Sequence, residues 1–177
     1  MALSKWKKLT GFELARNPWW AYRKDEFELP SGKKGEYHYV HTNGASLIVP
    51  VLNDGRVVLV NQYRYLCDRE SLEFPCGGVK EGWTYDKTAV RELEEEAGYI
   101  ARDWRLVGEF NPYNGVTDEI CRVYLARNLS QSQSKPDETE QFEKMVLTPD
   151  EVDARILSGV VWDGMTIAGW TIAKTYL

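Results

Sequence analysis

The chain has 177 residues, 43% of them hydrophobic, which suits one well-cored domain and excludes a disordered or fibrous protein. Its 22 basic and 27 acidic residues leave a net charge of −5, which argues against a broad basic footprint for nucleic acid or anionic lipid and leaves only locally gathered positive charge for a small anionic ligand. Three cysteines, Cys67, Cys76 and Cys121, with no C-x-x-C or Cys/His cluster, argue against a disulfide framework or a zinc site and for a reducing compartment.

Along the chain, MALSKWKKLTGFELA lacks an apolar h-region, and no run approaches the length of a membrane span, so a cytoplasmic protein without a membrane partner is expected. WWAYRKDEFELPSGKKGEYHYVHT predicts two strands joined by a turn at Pro30 to Gly32. Trp19, Trp20 and Tyr22 fall near the start of the first, where they suit a packed sheet or a dimer contact. ASLIVPVL and RVVLVNQYRY flank Asn53-Asp54-Gly55, a hairpin signal because Asp-Gly tolerates positive φ. A helix follows from Thr84 as N-cap to Gly98 as the residue beyond its end, with Tyr85, Ala89, Leu93 and Ala97 repeating at i, i+4. RLVGEF, ICRVYLARNL and EKMVLT read as strands, with the polar NLSQSQSKPDETEQ as a loop between two of them. Thr148 caps a helix with Pro149 in its first turn and Glu151 closing a capping box, and Gly159 ends it. A last helix runs from about Asp163 toward Leu177, with Met165, Ile172 and Tyr176 among its apolar positions.

The helix after Thr84 carries its acids in an unfavourable place. At roughly 100° per residue, Glu95 and Glu96 lie about 300° and 400° round from Glu92, so the three share an arc of about 100° while Glu94 points elsewhere. Like charges at i, i+4 repel, and the C-terminal end of a helix already carries partial negative charge. A cation should compensate. Hard divalent ions such as Mg²⁺ take several carboxylate oxygens, often with substrate phosphates; a solvated acidic face with Lys87 and Arg91 nearby is the other reading that helical charge patterning allows.

The whole segment resembles the Nudix box, G-x5-E-x7-R-E-U-x-E-E-x-G-U, with U an aliphatic or bulky apolar residue. Gly77, Arg91, Glu92, Leu93, Glu95, Glu96, Gly98 and Tyr99 fall in register, and only the first glutamate departs, being Trp83. The resemblance implies a Nudix-type α/β/α sandwich with a mixed sheet and an additional N-terminal antiparallel sheet. It divides the chain into a strand extension over residues 1–43, forming a homodimer, and a hydrolase domain over 44–177. It implies that Glu92, Glu95 and Glu96 hold Mg²⁺ or Mn²⁺ against a diphosphate and that Arg91 orients one of them. Trp83 in place of the glutamate implies weaker support around the metal cluster or a distinct subfamily.

Further segments resemble the ADP-ribose and nucleotide-sugar pyrophosphatase branch of that family. NQYRY and SLEFPCGGV are similar to its Q-Y-R and E-x-P-x-G elements, which makes Arg64 a phosphate contact and Glu73 a nucleoside or structural contact. Without the motif, Arg64 reads equally well as the end of a strand in a surface ion pair. Cys76 stands where the family offers a backbone carbonyl to metal, and its side chain reads as a small buried hydrophobe. NPYNGVTDEICRVYLARNL resembles the element that places a glutamate, here Glu119, near the substrate ribose. KPDETEQFEKMVL resembles an acidic loop that supplies a catalytic base, here Glu138, and an extra metal ligand, here Glu140; either could instead be merely solvated. An aromatic from the N-terminal sheet, Trp19 or Trp20, would stack on the nucleobase. His38 and His41 match no catalytic role and read as strand packing or hydrogen bonding. The implied substrate is a nucleoside diphosphate sugar, ADP-ribose giving AMP and ribose 5-phosphate, with GDP-mannose hydrolysis or a non-catalytic nucleotide-sensing module as alternatives. The absence of G-x-x-x-x-G-K-[ST] argues against P-loop phosphoryl transfer.

Overall fold

A computed structural model describes residues 3–133 and 141–177. At the N-terminus, β1 (Lys7–Arg16), β2 (Ala21–Glu28) and β3 (Lys34–His41) form an antiparallel meander. The turn expected at Pro30 to Gly32 joins β2 to β3, with Gly32 at φ 82° and the Leu29 amide donating to the Lys33 carbonyl at 2.8 Å. β1 is an addition to the sequence reading. Every residue of it is exposed, so it has no buried face whose two-residue period could announce it, and Leu9, Phe12 and Leu14 stay open to solvent.

The body of the molecule is built on β4 (Ala45–Pro50), all six residues of which are buried. It lies at the inside of a mixed sheet ordered β7-β4-β9-β8, parallel to β9 (Cys121–Gln131) and antiparallel to β7 (Cys76–Gly78), with β8 (Tyr99–Phe110) beyond β9. A second sheet places β5 (Val57–Arg64) between β10 (Glu143–Leu147) and β6 (Arg69–Glu73). The Asp54-Gly55 turn forms, with Gly55 at φ 86° and the Leu52 amide bonded to the Arg56 carbonyl at 2.8 Å. The hairpin expected from it does not. β4 and β5 share a single bridge, Val51 to Val57, and then part into different sheets. The reason is burial on both faces: Val57 to Val60 are as fully covered as β4, and a strand apolar on both sides is satisfied by layers above and below it rather than by a solvated hairpin.

Alternating residues then go to opposite layers. Leu47, Val49, Leu59, Val123 and Leu125 pack with Val152 of α2 (Pro149–Leu157) and with Trp170 and Ala173 of α3 (Gly164–Ala173). Ile48, Val58, Val60, Tyr124 and Ala126 pack with Ala89, Leu93 and Ala97 of α1 (Tyr85–Ala97). The result is an α/β/α sandwich with a separate antiparallel sheet at the N-terminus. The caps form where the sequence puts them. Thr84 accepts from the Lys87 amide at 3.2 Å, Gly98 sits at φ 65°, and Thr148 and Glu151 complete a capping box. α3 stops at Ala173, short of Leu177, and tightens into a 3₁₀ turn over Lys174–Tyr176, as helix ends commonly do.

Candidate active site

The fold brings five pieces of chain to one cleft of about 700 Å³: the C-terminal half of α1, the short strand β7 with the residues after it, the end of β5, the turn between β1 and β2, and residues 41–43 at the end of β3. Its wall includes Glu92, Glu95, Glu96, Cys76, Gly77, Arg64, Trp19 and Trp20. The i, i+3, i+4 spacing puts the three glutamates on the helix face that looks across at β7. Glu96 is 6% exposed and accepts from the Cys76 amide at 3.0 Å, which ties the acidic end of α1 to the strand carrying the Cys76 carbonyl. Gly77 lies so close to α1 that a Cβ there would run into the Glu92 carboxylate, which accounts for a glycine at this position. Glu95 accepts from Arg91 Nε at 2.6 Å. Glu94 points away, as its helical phase requires, and accepts from Ser132 Oγ at 2.7 Å.

In the same wall, Arg64 is held by Glu73, which is 3% exposed: Nε donates to Oε1 at 2.8 Å and an NH2 donates to the second carboxylate oxygen. That hydrogen-bonded pairing raises the Arg64 pKa further, so the guanidinium is a fixed cation at the cleft wall. Glu73 itself is buried behind Arg64. Glu119 is not part of the wall but accepts from the hydroxyl of Thr42, which is, at 2.9 Å. Trp19 and Trp20 are in the turn, outside the strand that begins at Ala21, and the Asn17 side chain accepts from both their amides at 2.9 Å. They are 78% and 44% exposed, with ring surface available at the mouth. Glu138 and Glu140 lie outside the described residues.

The neighbouring Cys121 thiol, and after it burial, push the Cys76 thiol pKa well above its ordinary value, which favours the neutral thiol. Among the described residues, no three His, Cys, Asp or Glu side chains stand in a ready-made coordination cluster. The donor set still fits a hard divalent cation. Three carboxylates share one wall at the negative end of a helix, and the glycine cradle at Gly77 lets the Glu92 oxygens approach the strand.

The model of the NUDIX domain matches residues 41–164. The chain belongs to the Nudix family. It is 35% identical over 144 residues to an ADP-ribose pyrophosphatase of Bacillus subtilis (strain 168), covering 80% of this chain and 78% of that one. It is 33% identical over 155 residues to the methanol dehydrogenase activator of Bacillus methanolicus, covering 86% and 82%, and 31% identical over 153 residues to an ADP-ribose pyrophosphatase of Mycobacterium tuberculosis (strain ATCC 25618 / H37Rv), covering 84% and 73%. A crystal structure described as an ADP compounds hydrolase superposes with a TM-score of 0.84 over 100% of this chain and 96% of that one, at 20% identity, which shows the shared fold.

Several wall residues of this Nudix hydrolase had no signal in the sequence reading. Arg16, at the end of β1, and Asn17, just after it, reach the cleft from the strand without a buried face. Lys80 falls at one of the unspecified positions of the box, between Gly77 and Trp83, where the pattern assigns no residue type. His41, expected to serve strand packing or hydrogen bonding, does hydrogen-bond, its Nδ1 lying 2.7 Å from Asp118, and is also a wall residue, which the sequence does not signal. The same junction fastens the N-terminal sheet to the segment before β9. The Val40 amide donates to Val116 at 2.8 Å, the Asp118 amide to Val40 at 3.3 Å, and the Tyr37 hydroxyl to Gly115 at 3.1 Å.

Proposed function

We propose that the chain is a metal-dependent pyrophosphohydrolase of nucleoside diphosphate sugars, with ADP-ribose split to AMP and ribose 5-phosphate. The observation that carries this reading is the composition of one cleft, lined together by three carboxylates, a Gly-Gly strand, an arginine held by Glu73 and two exposed indoles. The names of the Bacillus subtilis and Mycobacterium tuberculosis relatives favour ADP-ribose among the sugars.

In this reading, Trp19 or Trp20 stacks on the base and Arg64 meets a phosphate, its charge held in place by Glu73. Glu92, Glu95, Glu96 and the Cys76 carbonyl hold Mg²⁺ or Mn²⁺, with Glu140 as an extra ligand. When bound, the ion neutralises the diphosphate and lowers the pKa of a coordinated water. Glu138 accepts the proton of the attacking water as its oxygen bonds to one phosphorus and the bridging P–O bond breaks, the bridging oxygen leaving with the other phosphate. Arg91 keeps Glu95 oriented.

The deciding experiment is hydrolysis by the purified protein across ADP-ribose, GDP-mannose, UDP-glucose, dinucleoside polyphosphates and nucleoside triphosphates. ADP-ribose is expected to give the highest kcat/KM, with turnover abolished by a chelator and restored by Mg²⁺ or Mn²⁺. Equal or greater turnover of a triphosphate would refute the substrate assignment, and chelator-resistant turnover the metal assignment.

Residues 1–43 are proposed to make a homodimer. Trp6, Leu9, Phe12 and Leu14 leave an apolar surface on a sheet that packs little of its own area, and Trp6 already stacks on Phe27 at 4.5 Å. Light scattering is expected to give twice the chain mass for the full protein and a monomer, or no folded product, once residues before Gly44 are removed. A truncated protein that remains a dimer places the interface elsewhere.

A further inference from the structure

At position 83 the family's glutamate is a tryptophan, and the sequence alone suggests lost support for the carboxylates. The geometry points to the opposite. Trp83 sits just ahead of the N-cap of α1, fixed by a turn in which its amide donates to the Lys80 carbonyl at 3.0 Å. One turn on, Lys87 Nζ lies 3.9 Å from the centre of its ring, and a further turn on, the Arg91 guanidinium carbon lies at 5.1 Å. Both distances are within the range at which an aromatic face attracts a cation. Lys87 and Arg91 are four residues apart, where like charges repel; the shared ring offsets that repulsion.

We propose that Trp83 is a positioning residue for Arg91, and through it for Glu95. A guanidinium has two distinct surfaces: a flat face suited to an aromatic ring, and an edge of N–H donors suited to a carboxylate. A glutamate at 83 would compete with Glu95 for the edge. An indole accepts no such bond, and with its ring centre 5.1 Å from the guanidinium carbon it leaves Nε–H on Glu95 Oε1 at 2.6 Å. The substitution supports Arg91 without a second carboxylate beside its guanidinium. This inference rests on Glu95 acting in the cleft as proposed above.

The test is a double-mutant cycle on Trp83→Ala, Arg91→Ala and their combination, with Trp83→Phe as the conservative variant. Three quantities are read: kcat and KM for ADP-ribose, Mn²⁺ affinity of the substrate-free protein by calorimetry, and the Arg91 Nε–H resonance of the metal-free protein. Trp83→Ala is expected to lower kcat and weaken Mn²⁺ binding by roughly threefold to tenfold, with KM little changed. It should also shift and broaden the Arg91 resonance through loss of the ring and of a fixed partner. Trp83→Phe should recover most of each effect, and Trp83→Ala should add nothing once Arg91 is alanine. Additive effects of the two substitutions, or an unmoved Arg91 resonance in Trp83→Ala, would overturn the proposal. If the protein fails to turn over ADP-ribose, the substrate assignment fails, while the Mn²⁺ affinity and the resonance still report on Trp83 and Arg91.

Discussion

Glu96→Gln is expected to fold normally and to lose on the order of 100-fold or more in kcat at saturating Mg²⁺. The fold should survive because the amide oxygen of glutamine can still accept from the Cys76 amide, the bond that joins α1 to β7. Turnover should fall because a neutral amide is a poor ligand for a hard cation. A metal ion at a phosphoryl oxygen supplies several kcal/mol of transition-state stabilisation, and each ~1.4 kcal/mol is a factor of ten. Steady-state kinetics with a Mg²⁺ titration, beside a thermal melt, measures both halves. Near-parental turnover with an unchanged melt would remove Glu96 from the ligand set.

Arg64→Ala should damage stability and substrate binding together. Glu73 is almost wholly buried, and without Arg64 its nearest polar partner is the Gln62 amide at 3.4 Å. Breaking a pair that leaves one charge buried costs about 3 kcal/mol here, the low end of the range for buried pairs because Arg64 is half exposed. For a chain of this size that lowers Tm by roughly 6–12 °C. KM for ADP-ribose should rise as well, since the charge facing the diphosphate is gone. Adding Glu73→Gln separates the two effects: the uncharged side chain should recover much of the Tm and none of the KM. An Arg64→Ala protein with parental KM would leave Arg64 as Glu73's counter-ion alone.

The parts of this fold that were legible in the sequence are those with a buried face and a marked end. α1 could be bounded because Thr84, the four-residue apolar repeat and Gly98 agree, and all three appear in the structure as cap, core and left-handed terminus. β2 and β3 were found through their turn. β1 was not, since a strand exposed along its whole length has no period to detect. The Asp54-Gly55 turn was found and its consequence misread, because turn chemistry is local, whereas the choice between pairing β4 with β5 and sending them to two sheets depends on what covers their second faces. At the cleft, the acids of α1 could be grouped from helical phase alone. Arg16, Asn17 and His41 could not, because they come from the N-terminal meander and join the wall only through tertiary packing. The role of Trp83 was hidden for a related reason: a pattern comparison registers a missing carboxylate, and only coordinates show what its replacement touches.

The backbone bonds exchanged between Val40 and the 116–118 segment bear on how the protein opens. The Val40 amide can exchange its hydrogen with solvent only when Val116 moves away, and the Asp118 amide only when Val40 does. The rim of β3 and the segment leading to Glu119 are thus one cooperative unit, and any fluctuation that frays the end of the meander also loosens Asp118 from His41. Residue 41, where the family match begins, is therefore not expected to act as a hinge.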